Sequence, residues 1–115
     1  MFSSIEALQQ AFFTRQVSAV KIIEYYLSRI QQYNDDYRIY TQVMVERAQQ
    51  QAHILDQKLA AGEALGPLAA IPFAVKNLFD IKGVVTLAGA KLTQSNPPAK
   101  QDAVLIQRLI AADGI

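Results

Sequence analysis

All five glycines and all four prolines of this chain lie beyond Ala61. These residues are the strongest interrupters of regular backbone structure, so the opening stretch is predicted to be helical and the remainder to consist of turns, short strands and loops. The helical half is charge-balanced, with Arg15, Lys21, Arg29, Arg38, Arg47 and Lys58 set against Glu6, Glu24, Asp35, Asp36, Glu46 and Asp56. Ser3 followed by Glu6 has the spacing of a capping box, with Ile5, Leu8 and Phe12 behind it on one face of a first short helix. Ser18 is placed to cap a second helix whose Val20, Ile23, Leu27 and Ile30 form one stripe, widened by Ile22, Tyr26 and Tyr33. Asn34, Asp35 and Asp36 read as its stop, because short polar side chains compete for nearby backbone groups, and a short extended piece is expected over residues 38–43. A third helix is predicted over 44–61, with Ala48, Ala52, Leu55 and Leu59 on its apolar face and Gly62 as its C-terminal cap.

The second half changes texture. Gly66-Pro67-Leu68-Ala69-Ala70 reads as a loop, and Ile71-Pro72-Phe73-Ala74-Val75 as a strand that Pro72 confines to an edge or a strand start. Lys82-Gly83 reads as a turn, Val84-Val85-Thr86 as a second short strand and residues 94–100 as a surface loop. Asp102 is expected to cap a last helix over 103–112, whose Val104, Leu105, Ile106, Leu109 and Ile110 predict burial on more than one face. Asp113-Gly114 closes that helix, and Ile115 reads as the first residue of a following strand, so the chain is expected to be cut at an αβ junction. The fold class is therefore α/β, with residues 1–61 helical and residues 62–115 a strand-loop-helix part.

A length of 115 residues corresponds to one small domain. With 51% hydrophobic and 18% charged residues it can bury a core. A net charge of +1 without a basic run argues against nucleic-acid binding. The absence of cysteine excludes disulfides and thiol nucleophiles, and the single histidine, His53, leaves no usual histidine metal site. His53 lies beside the apolar face of the third helix and reads as a packing or surface residue. Met1 to Arg15 lacks a basic region ahead of an apolar block, and no uncharged apolar run approaches the ~20 residues of a membrane span; the expected location is the cytoplasm. Asp35-Asp36 has no catalytic partner nearby and reads as a solvated turn. The tyrosines Tyr25, Tyr26, Tyr33, Tyr37 and Tyr40 follow helix faces and core rather than a base-stacking platform.

Chemistry is concentrated at Lys76. It follows five apolar residues and precedes Asn77-Leu78-Phe79, so its amine must either reach out to water or lose part of its charge by desolvation. To act as a base near neutrality, a lysine pKa must fall from about 10.4 toward ~7–8. The surrounding Gly66-Pro67-Leu68-Ala69-Ala70-Ile71-Pro72-Phe73-Ala74-Val75-Lys76-Asn77 resembles the amidase signature family, whose members carry G-P-L-A-G-[IV]-P-[FIV]-x-[VI]-K-D. Val17-Ser18-Ala19-Val20, Glu46-Arg47-Ala48, Gly83-Val84-Val85-Thr86 with Ala88-Gly89, and Asp102-Ala103 leading to Arg108-Leu109 also look like that family in order and spacing. Ala70 and Asn77 stand where the pattern has glycine and aspartate. Asn77-Leu78-Phe79-Asp80 and Leu87-Ala88-Gly89-Ala90-Lys91 look most like the branch containing 1-carboxybiuret hydrolases.

The resemblance implies a mixed sheet wrapped in helices and a serine–cis-serine–lysine triad, with Lys76 as the lysine. The lysine relays a proton through a bridging serine, and a second serine attacks an amide carbonyl to form an acyl-enzyme. No metal or organic cofactor is implied. The substrate would be a small amide or urea-like molecule, and a homo-oligomer or a small partner subunit is compatible. Both family serines lie in a glycine- and serine-rich stretch, a context that Ser3, Ser4, Ser18, Ser28 and Ser95 do not have. The chain is therefore expected to be the N-terminal part of a longer amidase domain and inactive alone. Two other readings stand beside it: a non-catalytic interaction module, and the amidase subunit of a tRNA-dependent amidotransferase.

Overall fold

The computed structural model describes residues 2–115. Its order is α1 (Ile5–Phe13), α2 (Ala19–Tyr37), α3 (Val45–Ala60), a 3₁₀ turn over Lys91–Ser95 and α4 (Val104–Ala111). The two strands expected over 71–75 and 84–86 are not formed among the described residues.

The helical half follows its periodicity, with local corrections. Ser4, not Ser3, caps α1: its hydroxyl accepts the Ala7 N–H at 3.1 Å. That shift leaves Ile5 exposed in the first turn, and the buried face is Leu8, Ala11 and Phe12. Ser18 caps α2 as expected, accepting the Lys21 N–H at 3.1 Å. Two more of its free N–H groups, those of Ala19 and Val20, donate to the Asp56 carboxylate of α3 at 2.7 and 3.2 Å. Negative charge at a helix N-terminus is favourable, so α3 supplies a cap that no local pattern in α2 could show.

The polar trio does not stop α2. The helix runs through Asn34, Asp35 and Asp36 to Tyr37 and ends on Arg38 at φ +50°, whose N–H donates to Asn34 O. Asn34 turns its side chain to the next loop instead: Oδ1 accepts the Tyr40 N–H at 2.8 Å and Nδ2 donates to Tyr40 O at 3.0 Å. Residues 38–43 are irregular, without the expected extended element. α3 ends as predicted on Gly62 at φ +72°: Glu63 N–H reaches Lys58 O and Gly62 N–H reaches Leu59 O, the paired bonds of a Schellman motif.

α2 and α3 pack on one another, and the core joins Leu8 and Phe12 of α1, Ala19, Ile22 and Ile23 of α2, Ala52 and Leu55 of α3, and Ala69, Ala70 and Ile115 from the second half. Two ion pairs strap α4 alongside α3. Arg47 bonds Asp102, just before α4, and Lys58 bonds Asp113, just after it. Both members advance by the same eleven residues, about three helical turns along α3, so the two helices run in the same direction. Asp102 therefore does not cap α4; the cap position is Ala103, with no side-chain bond. Nor is α4 buried on several faces: Ile106 is buried, whereas Val104 and Leu105 are exposed.

The 66–70 loop docks on the end of α4. Gly66 N–H donates to Asp113 Oδ2 at 2.6 Å and Leu68 N–H to Ala112 O at 2.9 Å. Beyond it, Phe73 N–H donates to Ile115 O and Ile115 N–H to Ile71 O, at 2.8 and 2.9 Å. This is the alternation of a parallel ladder, made here by the single residue Ile115 against Ile71 and Phe73. Val84 likewise makes no strand: its N–H turns back to Ile81 O, while Gly83 N–H donates to Ala99 O and Ala99 N–H to Val84 O.

Candidate active site

Lys76 stands at the neck of a loop that leaves the 71–75 segment and returns over 86–88. Its carbonyl accepts the N–H groups of Leu78 and Phe79 at 2.7 and 3.2 Å, which turns the chain sharply. Asn77 then joins the two sides of the neck: its Oδ1 accepts the Leu87 N–H at 3.0 Å and its main-chain carbonyl the Ala88 N–H at 2.8 Å. Farther out, the Thr86 hydroxyl donates to the Asp80 carboxylate. The returning side of the loop takes left-handed backbone at Ala88, φ +49°, and Gly89, φ +74°. Thr93 braces it, with its hydroxyl 2.6 Å from Leu87 O and 2.7 Å from Ala90 O.

The Lys76 side chain is exposed. Of the two routes open to it, it takes the one into water. Among the described residues the ion pairs are Lys21–Glu24, Arg47–Asp102 and Lys58–Asp113, and Lys76 is in none of them. None of the side-chain hydrogen bonds among the described residues joins a serine to Lys76. Ser4 and Ser18 accept helix-capping bonds, while Ser28 and Ser95 donate to the carbonyls of Tyr25 and Leu92. His53 is exposed. No group of three His, Cys, Asp or Glu residues among those described could hold a metal ion.

Two carboxylates are electrostatically set. The Arg47 guanidinium outweighs partial burial and, with the Lys82 N–H, holds the Asp102 carboxyl below its ordinary value. Burial pushes the Asp113 carboxyl up, but the Gly66 N–H and the Lys58 ammonium together outweigh it and leave the group below its ordinary value. Neither ion pair is visible in sequence, since each joins residues 55 apart. The Asn77 clasp also escapes pattern reading, because its partners are backbone groups.

Behind Lys76 lies an open apolar groove of about 880 Å³, bounded by Leu27 and Ile30 of α2, Val43, Phe73 and Val75, and Ile106 and Ile110 of α4. Asn77 reaches its edge, and its charged members are Arg29 and Arg47, the latter paired to Asp102. Among the described residues its lining includes no serine, cysteine, histidine or lysine; its hydroxyls are those of Thr41 and of the tyrosines of α2 and the following loop.

Comparison with known proteins places this geometry. Over 71 residues the chain is 58% identical to AtzE, a component of the 1-carboxybiuret hydrolase of Pseudomonas sp. (strain ADP), in a match that covers 62% of this chain and 16% of the relative. It is 36% identical over 108 residues to a component of the glutamyl-tRNA(Gln) amidotransferase of Chlamydia muridarum (strain MoPn / Nigg), covering 94% of this chain and 22% of that protein. A solved inhibitor-bound structure of a vestigial protein complex, one that reveals the evolutionary origins of an s-triazine catabolic enzyme, superimposes with a TM-score of 0.90. It is 44% identical, and the match covers 92% of this chain and 23% of the solved one. The chain thus spans about a fifth of the length of the relatives it matches. The sequence model of the Amidase family matches residues 21–115, and with these relatives it shows that the chain belongs to the amidase family.

Proposed function

We propose that this chain is the N-terminal part of an amidase-type hydrolase that cleaves C–N bonds of a small amide or urea-like substrate, with Lys76 as the base of a serine–cis-serine–lysine triad. The observation that carries the reading is the family motif from Gly66 to Lys76, which departs from the pattern before the lysine only at Ala70 and ends at the neck of a loop clasped by Asn77. Both serines then come from outside these residues, and further chain of the same domain covers the apolar groove and takes the amine out of water. Residues 1–61 serve as helical support and residues 62–115 deliver the lysine. The protein works in the cytoplasm. A partner subunit is supported by the similar solved structure, which is that of a protein complex.

The test is a pair of substitutions in the complete enzyme. Lys76→Ala lowers kcat by several orders of magnitude with the fold intact, because triad members act as a unit. Lys76→Arg is nearly as inactive, since a guanidinium keeps the charge but cannot give up its proton at working pH. A structural lysine predicts the opposite order, and substantial activity in the arginine variant overturns the assignment. The 115-residue chain alone is expected to turn over no amide or urea; turnover abolished by Lys76→Ala contradicts this.

A second reading is supported by the coverage of 94% of this chain in the match to the amidotransferase component. Under it, the complete protein releases ammonia from glutamine for a tRNA-bound acceptor and needs partner subunits. Glutamine-dependent amidation of a charged tRNA separates it from free hydrolysis of ureas.

A further inference from the structure

We infer that Asn77 is the positioning residue of Lys76, its carboxamide oxygen holding the turn from which that side chain extends. The inference rests on Lys76 being the base, as proposed above.

Lys76 is fixed from both sides. Three residues before it, Phe73 N–H is bonded to Ile115 O. Immediately after it, Asn77 is bonded at two separate atoms to consecutive residues, Leu87 and Ala88. Two bonds on adjacent residues resist both translation and rotation of the peptide joining Lys76 to Asn77, so the Cα–Cβ direction of Lys76 is set by the clasp. A flexible four-carbon side chain gains precision only from a fixed root. The main-chain half of the clasp is open to any residue. The side-chain half needs an acceptor at Oδ1, which asparagine and aspartate both supply.

The experiment compares Asn77→Leu and Asn77→Asp in the complete enzyme, by kcat and KM and by hydrogen exchange at Leu87. Asn77→Leu is expected to lose exchange protection at the Leu87 amide and to lower kcat about ten- to a hundred-fold, with KM within about two-fold. Asn77→Asp, which keeps an acceptor for that amide, is expected to restore the protection and most of kcat. Parental kcat or full Leu87 protection in Asn77→Leu overturns the inference, and so does an Asn77→Asp enzyme as impaired as Asn77→Leu. An active Lys76→Arg enzyme removes the base reading itself, and the exchange measurement then still reports on the clasp alone.

Discussion

Replacing Gly66 by alanine puts a methyl group where the end of α4 already stands. A Cβ built on Gly66 lies 2.5 Å from Ala112 O, 2.6 Å from Ala112 C and 2.9 Å from Ala112 Cα. All three are backbone atoms, so no side chain can swing aside, and the loop must retreat by about 1 Å to reach an ordinary contact distance of roughly 3.5 Å. That retreat strains the Gly66–Asp113 bond of 2.6 Å and the Leu68–Ala112 bond of 2.9 Å. Overpacking costs about 1–3 kcal/mol, a neutral backbone bond about 1 kcal/mol and a bond to a charged group about 1.5–3 kcal/mol. Partial relaxation retains some of each, giving an expected loss of about 3–5 kcal/mol. Gly83→Ala is the control: at φ +82° with nothing within 4 Å of the added atom, it should cost only the left-handed penalty of about 1–2 kcal/mol. Urea unfolding followed by circular dichroism reads both variants. If Gly66→Ala costs no more than Gly83→Ala, the docking of the 66–70 loop on α4 does not hold the fold together as described.

Three further outcomes are expected. Asp102 and Asp113 both have carboxyl pKa values lowered on folding from 3.8, so their contribution is complete above that value and is lost as the pH falls through and below it. Stability should be level between about pH 5 and 7 and drop below about 4, and the double variant Asp102→Asn/Asp113→Asn should flatten the drop; an unchanged profile rejects the two straps. Asp56→Ala removes the cross-helix cap on Ala19 and Val20 and should cost about 1–2 kcal/mol, read as a lower Tm, with a loss under about 0.3 kcal/mol counting against it. Ala88→Gly should stabilise by up to about 1 kcal/mol, because Ala88 is exposed at φ +49° and glycine relieves the left-handed strain at some entropic cost; destabilisation in denaturant titration would show that the methyl group matters.

The sequence by itself determined whatever depends on neighbours along the chain. The α2 stripe, the Ser18 cap and the Gly62 terminus of α3 follow from three- and four-residue spacings and from one residue able to take positive φ. The family motif around Lys76 was legible for a different reason, since it is a match of residues in order rather than a deduction from them. Errors fell on short polar residues with two plausible partners. Asn34 has the local signature of a helix stop and Asp102 that of a helix cap, whereas Asn34 binds Tyr40 and Asp102 binds Arg47 and the Lys82 N–H. A side chain that can satisfy a local or a distant group goes where the fold leaves an unpaired partner, and that is unknown until the chain has closed on itself. The same holds for the expected strands: 71–75 has strand composition, but a ladder needs a neighbour, and among the described residues it meets only Ile115. Tertiary structure alone decided that Lys76 reaches water, that Asn77 clasps Leu87 and Ala88, and that two ion pairs align α4 with α3. Each depends on the packing of the elements between the groups that meet, which no local spacing encodes.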